Sequence, residues 1–351
     1  MLQQTQVATV IPYYLRWMQR FPDLNALAQS QIEDILALWS GLGYYRRARY
    51  LHAGAQYLAA HCGGVFPKTL EELQKIPGVG AYTAGAIAAF AFGQSVPAID
   101  GNAERVFSRY FGISGDLTRG AARARLWELA SFIADMGHSR ELNQAVMDLG
   151  ASFCSRTAEC ASCPLQSQCF ARQFDKTKEL PNKTKRTKKS GEFCVAIRLF
   201  DGDGRELWAR RRADGLLGGL WQYPTIRLAH LEEDGNGEIR QEAEKLARSD
   251  RRELWTSWCA SLGRLTLKSW ARTGIRIEHI FSHIRMLVEI DTGLCEHPDD
   301  IMHFMQDSGE FDAYQWLSPQ SLDSNFATSG LMQKMQRAFI EPGEKPRRRK
   351  T

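Results

Sequence analysis

Four of the eight cysteines crowd into sixteen residues, as Cys154-x5-Cys160-x2-Cys163-x5-Cys169. Thiolates are soft ligands, and four at this spacing suit one metal centre. Zinc and a four-iron cluster both accept four cysteines. Zinc usually takes its ligands as two C-x-x-C pairs, and only Cys160 and Cys163 form such a pair, so the spacing leans towards iron–sulfur. The remaining Cys62, Cys194, Cys259 and Cys295 are scattered and read as small hydrophobes or free thiols. The opening MLQQTQVATV does not read as a secretory signal, and clustered cysteines then favour metal ligation over disulfides.

A second stretch with chemistry in it runs from Leu73 to Asp100, LQKIPGVGAYTAGAIAAFAFGQSVPAID. Thr69 and Glu72 form a capping box that predicts a helix start just before it, and Pro77 with Gly78 ends that helix. A second helix, small and apolar, is expected from Gly80 to Ala91. Gly78, Val79 and Gly80 make a hairpin without bulk, aimed at a helix N-terminus whose free amides and dipole favour an anion. A DNA phosphate fits such a place, and an ordinary helix turn fits it as well. Asp100 follows a Ser-Val-Pro turn and precedes Gly101 and Asn102, where a further helix is expected to begin.

In SGLGYYRRARYL, Tyr44 and Tyr45 are followed at once by Arg46, Arg47 and Arg49. Rings that wedge between bases beside guanidinium groups that meet phosphates would make a nucleic-acid surface. Core tyrosines beside a solvated arginine face are the alternative. Near the other end, Phe281, Ser282 and His283 stand between two strand-like halves, with His279 close by. By themselves Ser282 and His283 are equally a local hydrogen bond in a turn.

The elements that must carry these groups fall into two kinds. At 351 residues the chain is long for one core, so two domains are expected. Residues 1–60 read as helical, with Val7, Val10, Ile11 and Leu15 as one apolar stripe and Ile32, Ile35, Leu36 and Trp39 as another. NQAVMDLGASFC leads directly into the cysteines, which places 1–173 together as an all-α domain with the metal loop at 154–169. Residues 174–190 are lysine-rich and read as a basic linker. From 191 the pattern turns to strands: FCVAIRLF, a DGDG turn and ELWARRR read as a hairpin, GLLGGLWQYP follows, and 191–342 is expected to be α+β. Residues 343–351 are a basic tail. Hydrophobic content of 44%, 24% charged residues and a net charge of +5 suit a soluble protein that tolerates nucleic acid without requiring it. No apolar run approaches membrane-span length, so no membrane association is expected.

The IPGVG hairpin, the small-residue helix and V-P-x-x-D-G-N together resemble the helix-hairpin-helix DNA glycosylase superfamily. LQQTQV and LWSGLGYYRRARYL are similar to its adenine DNA glycosylases of the MutY type. That resemblance implies a hairpin gripping the phosphate backbone and Asp100, with Asn102, at the sugar of a flipped base. It implies Tyr44 wedged in the minor groove, Gln4 inserted in the base stack with Gln3 beside it, and Arg46 and Arg47 on DNA. Tyr82 stands where bifunctional endonuclease III-type enzymes carry a Schiff-base lysine, so strand cleavage is not expected. In that family a [4Fe-4S] cluster is held by C-x6-C-x2-C-x5-C, and the first interval here is one residue shorter. GG-L-W-x-[YF]-P resembles the Nudix-like C-terminal domain, in which Phe281, Ser282 and His283, near His279, would reach 8-oxoguanine. The glutamates of a Nudix metal helix are not in pattern at 225–245, so no pyrophosphatase activity is expected.

The resemblance therefore implies removal of adenine mispaired with 8-oxoguanine or guanine in double-stranded DNA, by a cytoplasmic, nucleoid-associated monomer. The family's catalytic glutamate would lie just ahead of this MLQQTQV, so the chain beginning at Met1 is expected to lack it. A silent lesion-binding protein stands as the alternative. A bifunctional pyrimidine-damage glycosylase is a further one, disfavoured by Tyr82 and by the second domain.

Overall fold

The computed structural model describes residues 1–3, 5–182, 190–232, 251–262, 265–281, 284–296, 310–318 and 326–340. The chain divides into two compact units, residues 53–186 and residues 1–52 with 187–351. The sequence reading joined 1–173. Here residues 1–52 group instead with 187–351, and Ser40, at the end of the third helix, donates from its Oγ to Thr328 O at 2.9 Å.

The unit of residues 53–186 is helical. It holds most of α4 (Tyr45–His61), then α5 (Leu70–Leu73), α6 (Ala81–Ala86) continued by a wider π turn (Ile87–Ala91), α7 (Gly101–Phe111), α8 (Gly120–Asp135), α9 (Ser139–Ala151) and α10 (Phe170–Gln173). Thr69 caps α5, accepting from Glu72 N and donating to Glu72 Oε2 at 2.8 Å, as the capping box predicts. The core is Ile99, Ala103, Phe107, Ile113, Leu117, Leu126 and Ala130. Ala103 and Phe107 lie one turn apart on α7, so one apolar stripe seats the helix that begins at Asp100.

The other unit starts with α1 (Val7–Arg20), α2 (Leu24–Ala28) and α3 (Ile32–Trp39). The stripe expected on α1 is only partly buried. Val10 and Trp17 face inward, whereas Val7, Ile11 and Leu15 are exposed. Aromatic packing decides the face, because Trp17 meets Phe21 and Trp39 edge-on at 5.0 and 5.6 Å. The stripe on α3 holds better: Ile35, Leu36 and Trp39 are buried.

Among the described residues a seven-stranded sheet follows, from β1 (Ser190–Phe200), β2 (Glu206–Arg211), β3 (Trp221–Gln222), β4 (Thr225–Glu232), β5 (Thr266–Ile280), β6 (Ile284–Glu296) and β7 (Phe311–Leu317). The order is β3-β2-β1-β6-β5, with β4 on β1 and β7 on β2. The DGDG hairpin forms as expected, with Phe200 opposite Glu206, and Asp201 holds the turn through the amides of Asp203 and Arg205. β1 runs parallel to β6 and is buried on both faces, which explains its apolar run from Phe193 to Ile197. Phe193, Val195, Ile197 and Leu199 meet α11 (Arg252–Ser261) through Trp255 and Cys259, while Cys194 and Ala196 meet α12 (Gly330–Ile340) through Met332 and Met335. Among the described residues no helix is long and apolar enough to cross a membrane.

Candidate active site

Asp100 is the N-cap of α7. Its Oδ1 accepts from the backbone amides of Asn102 and Ala103 at 2.9 and 2.8 Å, and Asn102 Nδ2 donates to Oδ2 at 3.2 Å. The cap fixes the carboxylate's direction, and the side chain is half-buried rather than enclosed. The segment leading to it is clamped by α9. Asn143 Oδ1 accepts from Ala98 N at 2.9 Å, and Asn143 Nδ2 donates to Val96 O at 2.9 Å. Ser139 Oγ donates to the same carbonyl at 3.0 Å. Two glycines allow the close approach. A Cβ at Gly85 would lie 2.3 Å from Pro97 O, and one at Gly150 would lie 2.7 Å from Asn102 Cβ.

Tyr82, one residue inside α6, shares this neighbourhood. Burial raises its phenol pKa, and the negative charge of Asp100 raises it further. Glu104, one turn along α7, behaves alike: burial pushes its carboxyl up, Arg123 opposes this, and Asp100 adds to it. Tyr82, Asp100 and Asn102 thus share one neighbourhood, with Asn143 and Glu104 beside them. Only the i, i+4 spacing from Asp100 could have signalled Glu104. Arg105 ties the site to the cysteine loop, donating to Cys154 O and Gly150 O at 2.6 Å each and to Asn102 Oδ1 at 2.8 Å.

The hairpin lies where the sequence put it. Gly78 has φ +82°, Val79 N bonds back to Ile76 O at 3.0 Å, and no side chain caps the start of α6. Gly78 and Gly80 are exposed, and a Cβ at Gly80 would meet nothing within 4 Å. An anion therefore has open access to this backbone.

Cys154, Cys160, Cys163 and Cys169 carry free thiols and line one cavity, together with Arg109, Phe153 and Arg172. Arg109 Nη1 donates to Cys154 Sγ at 3.4 Å, and Cys169 Sγ donates to Arg109 O at 3.6 Å. Burial raises the Cys160 thiol pKa, and the other three cysteines add to it. Four converging thiols that repel one another as thiolates are the donor set a cationic centre relieves. Among the described residues no group of three or more His, Cys, Asp or Glu side chains stands at ligating distance.

In the other unit Tyr44 is 50% exposed and Tyr45 9%, so neighbouring rings point opposite ways. Arg46 is exposed and lies over Tyr50. Arg47 turns inward. It donates to Met1 O at 2.9 Å, Thr5 Oγ1 at 3.0 Å and Gln3 O, and its guanidinium lies over the Tyr44 ring at 5.1 Å. Its donors hold the chain start beneath Tyr44, a role that charge alone did not reveal. Gln3 is exposed, and Gln4 lies outside the described residues. Phe281 is half-buried against the α12 side of the sheet, and its amide bonds to Ile284 O at 2.8 Å. His279 stacks tilted on Phe281, with ring centres 4.5 Å apart. Burial and Lys334 push its pKa down to about 4. Ser282 and His283 lie outside the described residues.

Comparison with known proteins is consistent along both halves. Residues 1–132 match the HhH-GPD superfamily of base excision DNA repair proteins, and residues 195–338 match the NUDIX domain. Adenine DNA glycosylase of Mus musculus is 34% identical over 334 residues, covering 83% of this chain and 62% of the mouse protein. That of Schizosaccharomyces pombe is 33% identical, covering 81% of this chain and 68% of its own length. That of Buchnera aphidicola subsp. Baizongia pistaciae is 43% identical over 170 residues, covering 48% of each chain. The chain spans less than two thirds of the mouse protein's length.

Proposed function

The chain belongs to the adenine DNA glycosylase family, and we propose that it acts in base-excision repair, removing adenine paired with 8-oxoguanine or guanine in double-stranded DNA. The observation that supports this most is the fixed carboxylate of Asp100 beside Tyr82 and Asn102. Breaking an N-glycosidic bond leaves positive charge on the sugar, and a pre-oriented carboxylate stabilises that charge as it develops. Two backbone amides hold Oδ1, so no reorientation is needed in the transition state. Water then takes the place of the base. Protonation of the departing adenine falls to the glutamate that the family carries ahead of LQQTQV. Tyr82 carries no amine, so no Schiff base forms at the sugar, which stays in the uncut strand as an abasic site.

The DNA would be gripped at Gly78, Val79 and Gly80, and extruded adenine would leave a gap that Tyr44 fills. Gln3 and Gln4 would enter the stack, while Arg46 meets phosphate. Phe281, Ser282 and His283, with His279, would read 8-oxoguanine from the C-terminal domain at 191–342. Cys154, Cys160, Cys163 and Cys169 would hold a [4Fe-4S] cluster, which orders the loop at 154–169 beside DNA and takes no part in base release. The protein would work as a monomer in the cytoplasm, on the nucleoid.

Single-turnover incubation with an 8-oxoguanine:adenine duplex tests this, in a protein carrying the family's glutamate ahead of Leu2. Free adenine with an alkali-labile but intact strand is expected, and borohydride traps no protein on DNA. Direct strand cleavage with a trapped adduct would replace this reading with the bifunctional one.

A further inference from the structure

Tyr45 is the buried neighbour of the exposed Tyr44, and its hydroxyl makes two bonds in opposite directions. It accepts from Gly41 N at 3.1 Å and donates to Thr328 O at 2.7 Å. Ser40 completes the join. Its Oγ donates to Thr328 O at 2.9 Å and accepts from Thr328 N at 3.2 Å. Thr328 is 288 residues from Ser40 along the chain, and it pairs with Trp221 of β3, whose amide bonds to Ala327 O at 2.8 Å. Nearby, Arg49 donates to Gly218 O at 2.7 Å, and a Cβ at Gly219 would lie 2.3 Å from Arg49 Nη2. The GG-L-W segment therefore receives helix α4 as well as forming the edge of the sheet.

The loop so held is under strain. Tyr44 has φ +51°, a left-handed backbone that costs a non-glycine residue free energy unless its surroundings impose it. Trp39 Nε1 donates to Gly43 O at 2.9 Å and Arg47 Nη2 to the same carbonyl at 3.4 Å, which fixes the near side of the loop. On the far side, Gly41 and Ser40 are fixed by Tyr45 and Thr328. Burial raises the Tyr45 hydroxyl pKa to about 12, so it keeps its proton and remains a donor.

We propose that Tyr45 is a positioning residue: its hydroxyl, with that of Ser40, transmits the placement of the C-terminal domain to the loop that presents Tyr44. The inference rests on the reading above in one respect, that Tyr44 enters DNA. When the C-terminal domain seats on a lesion, the segment at Thr328 moves with it, and the loop follows through two hydroxyls on one carbonyl. A ring misplaced by an ångström loses much of its effect.

The test compares wild type with Tyr45→Phe and Ser40→Ala in the full chain. Tyr45→Phe keeps the ring and removes both hydroxyl bonds. Three quantities are read: melting temperature, amide exchange at Gly41 to Tyr44, and the affinity ratio between an 8-oxoguanine:adenine duplex and an undamaged one. The expected result is amide exchange faster by about tenfold at Gly41, the loss of one good hydrogen bond. The affinity ratio should fall several-fold, with a smaller fall in Ser40→Ala. A lowered melting temperature with both affinities weakened equally, and the ratio unchanged, would make Tyr45 a plain structural contact and overturn the proposal. Should wild type show no preference for the damaged duplex, the functional reading fails by itself. Exchange then decides the relay alone, and unchanged protection at Gly41 overturns it.

Discussion

Gly150 stands so close to Asn102 that a Cβ at position 150 would lie 2.7 Å from the Asn102 Cβ and 3.0 Å from its carbonyl oxygen. A Cβ at Gly85 would lie closer still, 2.3 Å from Pro97 O. Glycine to alanine in a helix ordinarily stabilises by about 1 kcal/mol. Here overpacking against backbone costs about 1–3 kcal/mol and wins. Gly85→Ala and Gly150→Ala should each lower the melting temperature by several degrees, at about 2–4 °C per kcal/mol for a chain of this size. Both should slow adenine release by displacing Asp100.

Asn143 joins α9 to the segment before Asp100 by one accepted and one donated bond. Asn143→Ala leaves the Ala98 amide unpartnered at a buried residue, which costs about 1–3 kcal/mol. In protein carrying the family's glutamate, single-turnover adenine release should fall by about 10–100-fold, because the carboxylate shifts with its segment. Asn143→Asp keeps the acceptor for Ala98 N and loses the donor to Val96 O, so its rate should lie between the two.

The four thiols on one cavity make a direct prediction about metal content. Protein purified without oxygen should carry about four irons per chain and a broad visible absorbance. Cys160→Ser should lose both, weaken DNA binding and flatten its salt dependence, as the loop at 154–169 loses order. Stoichiometric zinc without that absorbance would remove the cluster from this account.

His279 gives a pH signature. Its folded pKa, about 4, lies below the ordinary value of 6.5, because burial and Lys334 disfavour the charged ring. The unfolded chain therefore binds the proton more readily between those values. Stability rises with pH across that window and is lost as pH falls from about 6.5 towards 4. The linkage limit is about 3 kcal/mol, lessened because the side chain retains some water. Denaturant melts at pH 7 and pH 5 should show this loss, and His279→Gln should show less of it.

What the sequence made legible was local. The IPGVG hairpin, the cap at Thr69 and the DGDG turn each carry their signal within a few residues, and each formed as expected. The apolar stripe on α1 was misplaced because periodicity marks a face but not its partner, and Trp17 with Phe21 drew the helix round. Arg47 read as a charge for DNA, and its bonds to Met1 O and Thr5 Oγ1 were not legible in that charge. Asn143 and the Ser40–Tyr45–Thr328 join act across 45 to 288 residues, and no short-range pattern announces a hydrogen bond at that separation.

The central claim concerns the charge at position 100. Asp100→Asn keeps an oxygen that accepts from the amides of Asn102 and Ala103, so the α7 cap and the fold should survive. The negative charge is removed, and with it the acceptor for Asn102 Nδ2. Measured by single-turnover adenine release from an 8-oxoguanine:adenine duplex, in protein carrying the family's glutamate ahead of MLQQTQV and with circular dichroism as the check on folding, the account predicts a fall of about a hundredfold or more. A folded Asp100→Asn protein that releases adenine at the wild-type rate would contradict it.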